Sequence, residues 1–210
     1  KFKPGPMDDP DAGYRSRYRH ETEEASPGYY AVTLDDYGVR AELTCTTRCG
    51  MQRYTFPKTD QARLLVDLHI PDEYYFDIHE AEIRKVGEAE IEGFSRQQSK
   101  YPSPTLRQEY TVHFVIQLNR PITAFGGWKG DRAIHEGQQI TVDENLDIGA
   151  FLAFDASDGG PLVVRSAISY VSVEGARKNL AAELEPFGWD FDAVRARARD
   201  TWNTLLGCIE

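Results

Sequence analysis

Hydrophobic and polar positions alternate most cleanly between Gly28 and Pro57, GYYAVTLDDYGVRAELTCTTRCGMQRYTFP. Val39, Ala41, Leu43 and Cys45 fall on one side of the middle run, and Arg40, Glu42, Thr44 and Thr46 on the other. A period of two predicts a strand with one face on a core and one toward solvent or a second layer. Asp35-Asp36-Tyr37-Gly38 supplies turn chemistry before it, Gly50 interrupts it, and Met51 to Phe56 resumes it before Pro57. The stretch therefore predicts three strands of a β-meander.

The rest of the chain continues in strands. Tyr14 to Tyr18 (YRSRY) alternates as a short strand, and His20 to Glu24 predicts a solvated loop before the Ser26-Pro27-Gly28 turn. Ala62 to Leu68 predicts a buried strand, Pro71 to Asp77 a loop or edge, and Ala81 to Arg96 a hairpin around Gly87. Gln97 to Arg107, with Pro102 and Pro104, predicts a surface loop; Tyr110 to Leu118 is a strong strand with His113 pointing outward. Pro121 to Trp128, Gln139 to Val142, Gly149 to Phe154 and Leu162 to Val173 complete the set, with Gly130 to Asn145 otherwise a long loop. About ten strands at short spacing predict an antiparallel two-sheet β-sandwich, mainly β, rather than a parallel α/β sheet.

The period changes after residue 172. Ala176, Leu180, Ala181 and Leu184 share a stripe of one helix, which Pro186 and Gly188 end. Asp190 or Asp192 caps a second helix, on which Val194, Ala198, Trp202, Leu205 and Ile209 line one face. That face must dock on the sandwich or on a following domain. The predicted organisation is a sandwich over 1–172 and a helical linker over 173–210.

The chain has 210 residues, 40% hydrophobic, enough for one sizeable core. Its net charge of -10 repels phosphate backbones and argues against a nucleic-acid partner. No apolar stretch approaches a membrane span. The start KFKPGP has neither an initiator Met nor a leader pattern, and is expected to lie inside a longer polypeptide. Cys45, Cys49 and Cys208 are odd in number and lack nearby histidines, which favours buried free thiols over a disulfide or a zinc site.

Catalytic chemistry is sparse. Glu21 with Glu23 or Glu24, and Asp155 with Asp158, are paired acids in turns without a feature that separates their pKa values. No Ser-His-Asp order and no G-x-S-x-G is present. Asp143 to Asp147 has the composition of a calcium loop without its spacing. Trp128, after two glycines, either presents a platform on which a sugar stacks or folds back onto the sandwich, and the second is favoured.

The pattern H-E-x-E-x-A-x-P-G-Y-Y from His20, followed by L-D-D-Y, A-E-L-T-x-T-x-R and R-Y-T-F-P, resembles the N-terminal domain of glycoside hydrolase family 92. ISYVSVEGARKNLAAE and GWDFDAVRARARDTWNTLL resemble the end of that domain and its linker helices, so the likeness covers most of residues 15–210. Cys45 and Cys49 depart from the small apolar residues of the pattern, which supports free thiols. The resemblance implies a galactose-mutarotase-like sandwich packed against an (α/α)6 catalytic barrel, in a calcium-dependent, inverting exo-α-mannosidase of α-1,2 preference. It implies a periplasmic or secreted bacterial enzyme whose partners are its own barrel and mannose-containing glycans.

The acid, the base and most calcium ligands of such an enzyme lie outside this sequence, so no catalytic residue or metal ligand is assigned. His20, Glu21, Arg48 and Trp128 are the candidates for sugar contact or domain interface. The chain alone is expected to be inactive; a stand-alone carbohydrate-binding module and a purely structural interaction domain are the alternatives.

Overall fold

The computed structural model describes residues 5, 9, 11–68, 76–100 and 108–208. The alternating stretch folds as β2 (Tyr29–Leu34), β3 (Val39–Cys45) and β4 (Cys49–Thr55), preceded by a short edge strand, β1 (Glu24–Ser26). Then come β5 (Ala62–Asp67), β6 (Phe76–Lys85), β7 (Glu90–Ser99), β8 (Glu109–Leu118) and β9 (Ala124–Lys129). β10 (Arg132–Ile134), β11 (Gln139–Val142), β12 (Ile148–Phe154) and β13 (Leu162–Ser169) follow. One sheet has nine strands in the order β1-β2-β3-β4-β13-β8-β7-β6-β11; the other has four, β10-β9-β12-β5. Neighbouring strands pair antiparallel in both.

The main core lies between the sheets. Ile83, Ile91, Phe114, Leu118, Leu162 and Val164 of the large sheet meet Phe125, Ile148, Leu152 and Phe154 of the small one. Period-two alternation sends the other face of the large sheet away from this core. Two helices cover it, α1 (Val173–Glu183) and α2 (Phe191–Leu206). Leu180, Leu184, Phe191 and Val194 pack there on Tyr29, Ala31, Met51, Val115 and Val163. Burying four such helix side chains contributes up to about 1.5–3 kcal/mol each.

Both helix starts are capped, α2 by Asp190, one of its two expected caps, and α1 by Ser172, which the sequence reading did not name. Ser172 Oγ accepts from Gly175 N at 3.0 Å, and Asp190 Oδ1 accepts from Ala193 N at 3.0 Å. A 3-10 turn at Glu185–Phe187 joins the helices.

Several predicted elements differ. Residues 14–18 form no strand; they cross the end of the β2–β3 pair, held by Arg17 Nε on Asp36 Oδ1 at 2.7 Å and Tyr37 OH on the Tyr14 carbonyl at 2.9 Å. His20–Thr22 is a 3-10 turn and β1 adds an edge strand where a loop was expected. β7 runs through Ser99, and β10 pairs with β9 inside the expected long loop. Residues 71–75 and 101–107 of the two expected loops, and Ile209 of the helix stripe, lie outside the described residues.

Candidate functional site

The helical layer is seated by charge as well as by packing. Arg53 on β4 meets Glu42 on β3 with both prongs, Nε to Oε2 at 2.7 Å and Nη2 to Oε1 at 2.8 Å. Its third nitrogen, Nη1, reaches Asp192 of α2 at 2.9 Å, and its guanidinium lies 4.4 Å from the Phe191 ring centroid. Tyr29 OH donates to Glu42 Oε1 at 3.0 Å, and Arg195 of α2 stacks 3.4 Å from the Tyr29 ring centroid. Arg53 holds the Glu42 carboxyl below the usual carboxylate range, overcoming the opposing effect of burial. A cleft of about 260 Å³ lies beside this cluster, lined by Ser26, Tyr29, Asp192, Arg195 and Arg199.

Arg165 of β13 holds the connection between the helices. Its guanidinium lies 4.0 Å from the Trp189 ring, and Nη2 donates to Gln117 Oε1 at 2.7 Å. Its Nε is buried without a partner. On β7, Glu92 is buried between Arg84 and Arg177, the latter from α1, and Arg177 also meets Glu90 at 2.8 Å.

The four sequence candidates do not form one site: His20 and Glu21 share a turn, and Arg48 and Trp128 lie elsewhere. His20 is exposed on its 3-10 turn, with Nδ1 2.7 Å from Glu23 Oε2 and its ring edge-on to Tyr18. Glu21 beside it is exposed. This turn is tied to the Arg40 end of β3, since Arg40 Nη1 donates to the Thr22 carbonyl at 2.7 Å.

Arg48 sits beyond the other end of β3, about 17 Å along the strand at ~3.4 Å per residue. It clasps α1: Glu183 accepts from Arg48 N at 3.0 Å, Arg48 Nε at 2.6 Å and Thr46 Oγ1 at 2.5 Å. Burial opposes ionisation of Glu183, but these donors win and lower its pKa. Arg48 thus joins the β3–β4 turn to α1 with its side chain still 56% exposed.

Trp128 is corrected in position: it lies within β9, on the outer face of the small sheet, and is 1% exposed. Its indole covers Gly149 of β12, where a Cβ would stand 2.0 Å from Cζ2. Its ring is covered there, within the strand rather than plugging the end of the sandwich.

No acid–base pair is assembled among the described residues. Carboxyls whose proton affinity stands apart are all lowered, including Glu23 by the Tyr30 and His20 donors and Asp158 by Arg120. A glycosidase general acid needs the opposite shift. Asp143 to Asp147 form no ion site; Asn145 Nδ2 instead donates to Asp77 Oδ1 at 2.8 Å. Among the described residues no group of three or more His, Cys, Asp or Glu side chains converges on a metal position. The described side chains do not fit a calcium site. Cys45, Cys49 and Cys208 are free thiols, as expected, but only Cys49 is buried; Cys45, at the end of β3, and Cys208, past α2, are exposed.

A family model described as the glycosyl hydrolase family 92 N-terminal domain matches residues 1–169. The chain belongs to glycosyl hydrolase family 92. A family 92 α-mannosidase from Bacteroides thetaiotaomicron superposes with a TM-score of 0.83 at 31% identity, covering 99% of this chain and 27% of that one. An inverting family 92 mannosidase of the same bacterium gives 0.74 at 24% identity, over 91% of this chain and 24% of that one, a likeness of fold. A protein of Arthroderma benhamiae described as an uncharacterised secreted glycosidase is 26% identical over 209 residues, 91% of this chain and 26% of its own length. This family 92 chain therefore spans about a quarter of the length of these relatives.

Sequence reasoning missed Glu183, the Glu42–Arg53 pair, Arg165 and Glu92. The available signal was the charged face of β3 and β4, whose partners lie more than a hundred residues away on the helices.

Proposed function

We propose that this chain is the N-terminal sandwich domain of a calcium-dependent, inverting exo-α-mannosidase that removes α-1,2-linked mannose from glycans. The sandwich of residues 1–172 supports a catalytic (α/α)6 barrel and walls one side of its pocket, and residues 173–210 lead toward that barrel. The observation that carries this reading is the family match over residues 1–169, joined to the 31% identity with an α-mannosidase. Inversion requires a general acid and a carboxylate base about 6.5–9.5 Å apart, with water between base and sugar. Calcium and both carboxylates are supplied by the remainder of the enzyme, and this domain is inactive alone. The enzyme works outside the cytoplasm, secreted or periplasmic. The secreted Arthroderma relative supports this, and no described helix is long and apolar enough to cross a membrane.

Purified full-length enzyme and the 210-residue chain, each with α-1,2-mannobiose in calcium or in chelator, test the reading. The full-length enzyme should release mannose only with calcium, and the 210-residue chain should release none. Mannose release by the short chain, or none by the full-length enzyme, overturns it. The burial of Trp128 counts against a stand-alone sugar-binding module built on that residue.

A further inference from the structure

Three connections meet at one end of the sandwich. The Lys85 N–H, at the finish of β6, donates to the Gln138 carbonyl ahead of β11 at 2.8 Å. The Ile122 N–H donates to the Glu88 carbonyl at 2.7 Å, and the Thr123 N–H to the Ala153 carbonyl of β12 at 2.9 Å. Main-chain bonds thus tie the β6–β7, β8–β9 and β10–β11 connections to one another and to the small sheet. Gly137, at φ +112°, supplies a backbone conformation in the last of them that other residues rarely adopt. Connections fixed on a rigid scaffold in this way are where binding groups are usually displayed.

Between them lies a cleft of about 350 Å³, lined by Lys85, Ile122, Thr123, Phe125, His135 and Glu136 among others. Ile122 and Phe125 are each 7% exposed and belong to the core between the sheets, so they give the cleft an apolar floor. Thr123, His135 and Glu136 are exposed around it, and Lys85 is half-buried. Among the described residues none of these four side chains has a hydrogen-bond or ion-pair partner, whereas Arg84 beside Lys85 meets both Glu82 and Glu92. Water can satisfy each of the four singly; what sets them apart is that they surround one apolar floor.

We propose that this cleft binds a single hexopyranose unit. Lys85 and Glu136 carry opposite charges that sum to zero without pairing, which favours a neutral polar ligand over an anion or a cation. The ammonium donates, the carboxylate accepts, and a hydroxyl and a neutral imidazole do both. A pyranose ring presents C–H groups on one face and hydroxyls around its edge, and so matches an apolar floor rimmed by donors and acceptors. At about 350 Å³ the cleft stands near the small end of the ~300–1,000 Å³ of small-molecule sites, which suits one ring rather than several. Ile122 and Phe125 meet the C–H face, and Lys85, Thr123, His135 and Glu136 take the hydroxyls. That the ring is mannose rests on the reading of the parent enzyme as a mannosidase.

The test follows carbethoxylation of individual histidines in the full-length enzyme by diethyl pyrocarbonate, read peptide by peptide by mass spectrometry. His135 reports on the cleft, and His79, exposed on β6, is the control. Saturating mannose should slow modification of His135 at least fivefold and leave His79 unchanged. Lys85→Met and Glu136→Gln should each abolish that protection, measured against the same variant without sugar. Protection by glucose and not by mannose supports the cleft and removes mannose as its ligand. Protection of His135 by neither sugar, or of both histidines alike, overturns the proposal. Protection by inorganic phosphate in place of sugar also overturns it, because the cleft is then an anion site. Mannose release is assayed on the same samples: its absence counts against the mannosidase reading, while the His135 rate reports on the cleft independently.

Discussion

Arg53 and Glu42 face each other across the β3–β4 pair and join through two parallel hydrogen bonds of 2.7 and 2.8 Å, directly beneath the first turn of α2. Their side chains are 23% and 12% exposed, so this pair is poorly solvated. Arg53→Met leaves Glu42 charged and half-sheltered, and is expected to cost about 2–4 kcal/mol, toward the lower end of values for broken buried pairs. The double variant Arg53→Met, Glu42→Gln should recover part of that loss. Urea unfolding of the four proteins in a double-mutant cycle measures the coupling.

The same pair sets an acid limit on stability. Glu42 and Glu183 both have folded pKa values below the ordinary value, Glu42 through Arg53 and Glu183 through the Thr46 and Arg48 donors that outweigh burial. A depressed folded pKa contributes stability above the unfolded pKa, about 4.3 for Glu, and loses it as pH falls through the folded value. Unfolding free energy should therefore be flat from neutral pH to about 5 and decline below it. Glu42→Gln should flatten the acid limb; a limb of unchanged slope would assign the loss to other carboxylates.

Gly28 combines two constraints. Its φ is +78°, and a Cβ would come within 2.9 Å of Ala198 Cβ and 3.1 Å of Trp202 Cδ1. Gly28→Ala should cost about 2–4 kcal/mol, roughly 1 for the left-handed backbone and the rest for overpacking against α2. Gly38, at φ +62° with its nearest contact 3.4 Å away, supplies the control. Gly38→Ala should cost only about 1 kcal/mol. Thermal melts separate the two, and Trp fluorescence at Trp202 should change for Gly28→Ala alone.

The sequence made some of this visible and hid the rest for physical reasons. β2 to β4 were legible because Val39, Ala41 and Leu43 alternate with Arg40, Glu42 and Thr44 between turn residues. The destination of the charged face was not: it looks solvent-facing until Asp192 and Arg195 arrive from 139 residues and more beyond Arg53. Tyr14, Ser16 and Tyr18 alternate like a strand, but their segment finds side-chain partners in Asp36 and Asp67 instead of a ladder. The glycines before Trp128 gave no sign of what packs on them. They are in fact close-approach positions, since a Cβ on Gly126 would stand 2.3 Å from Phe151 Cζ and one on Gly127 2.1 Å from the Gly149 carbonyl oxygen.

Trp128 therefore has a structural role that mutation should expose. Trp128→Ala empties a site where the indole is 1% exposed, and aromatic truncations of this kind cost about 3–5 kcal/mol. The measured effect should be a lower melting temperature with no change in mannose binding by calorimetry. A sugar-binding defect without loss of stability would return Trp128 to the list of contact residues.

Thiol reactivity offers an independent check on the β3–β4 turn. Cys45 and Cys208 are exposed, whereas Cys49 is buried against the helical layer. Burial first, and then the nearby Glu183 carboxylate, pushes the Cys49 thiol up to about 11. A thiol reacts through its thiolate, so at pH 8 Cys49 is both shielded and almost wholly protonated. Ellman's reagent should titrate two thiols quickly in the native chain and the third only on unfolding. Glu183→Ala removes the acceptor that ties Arg48 and Thr46 to α1. In that variant the third thiol should become reactive under native conditions, because the turn that covers it is no longer clasped. If Cys49 stays protected, the apolar packing of Leu180 and Leu184 is sufficient to hold the layer closed and the clasp is dispensable.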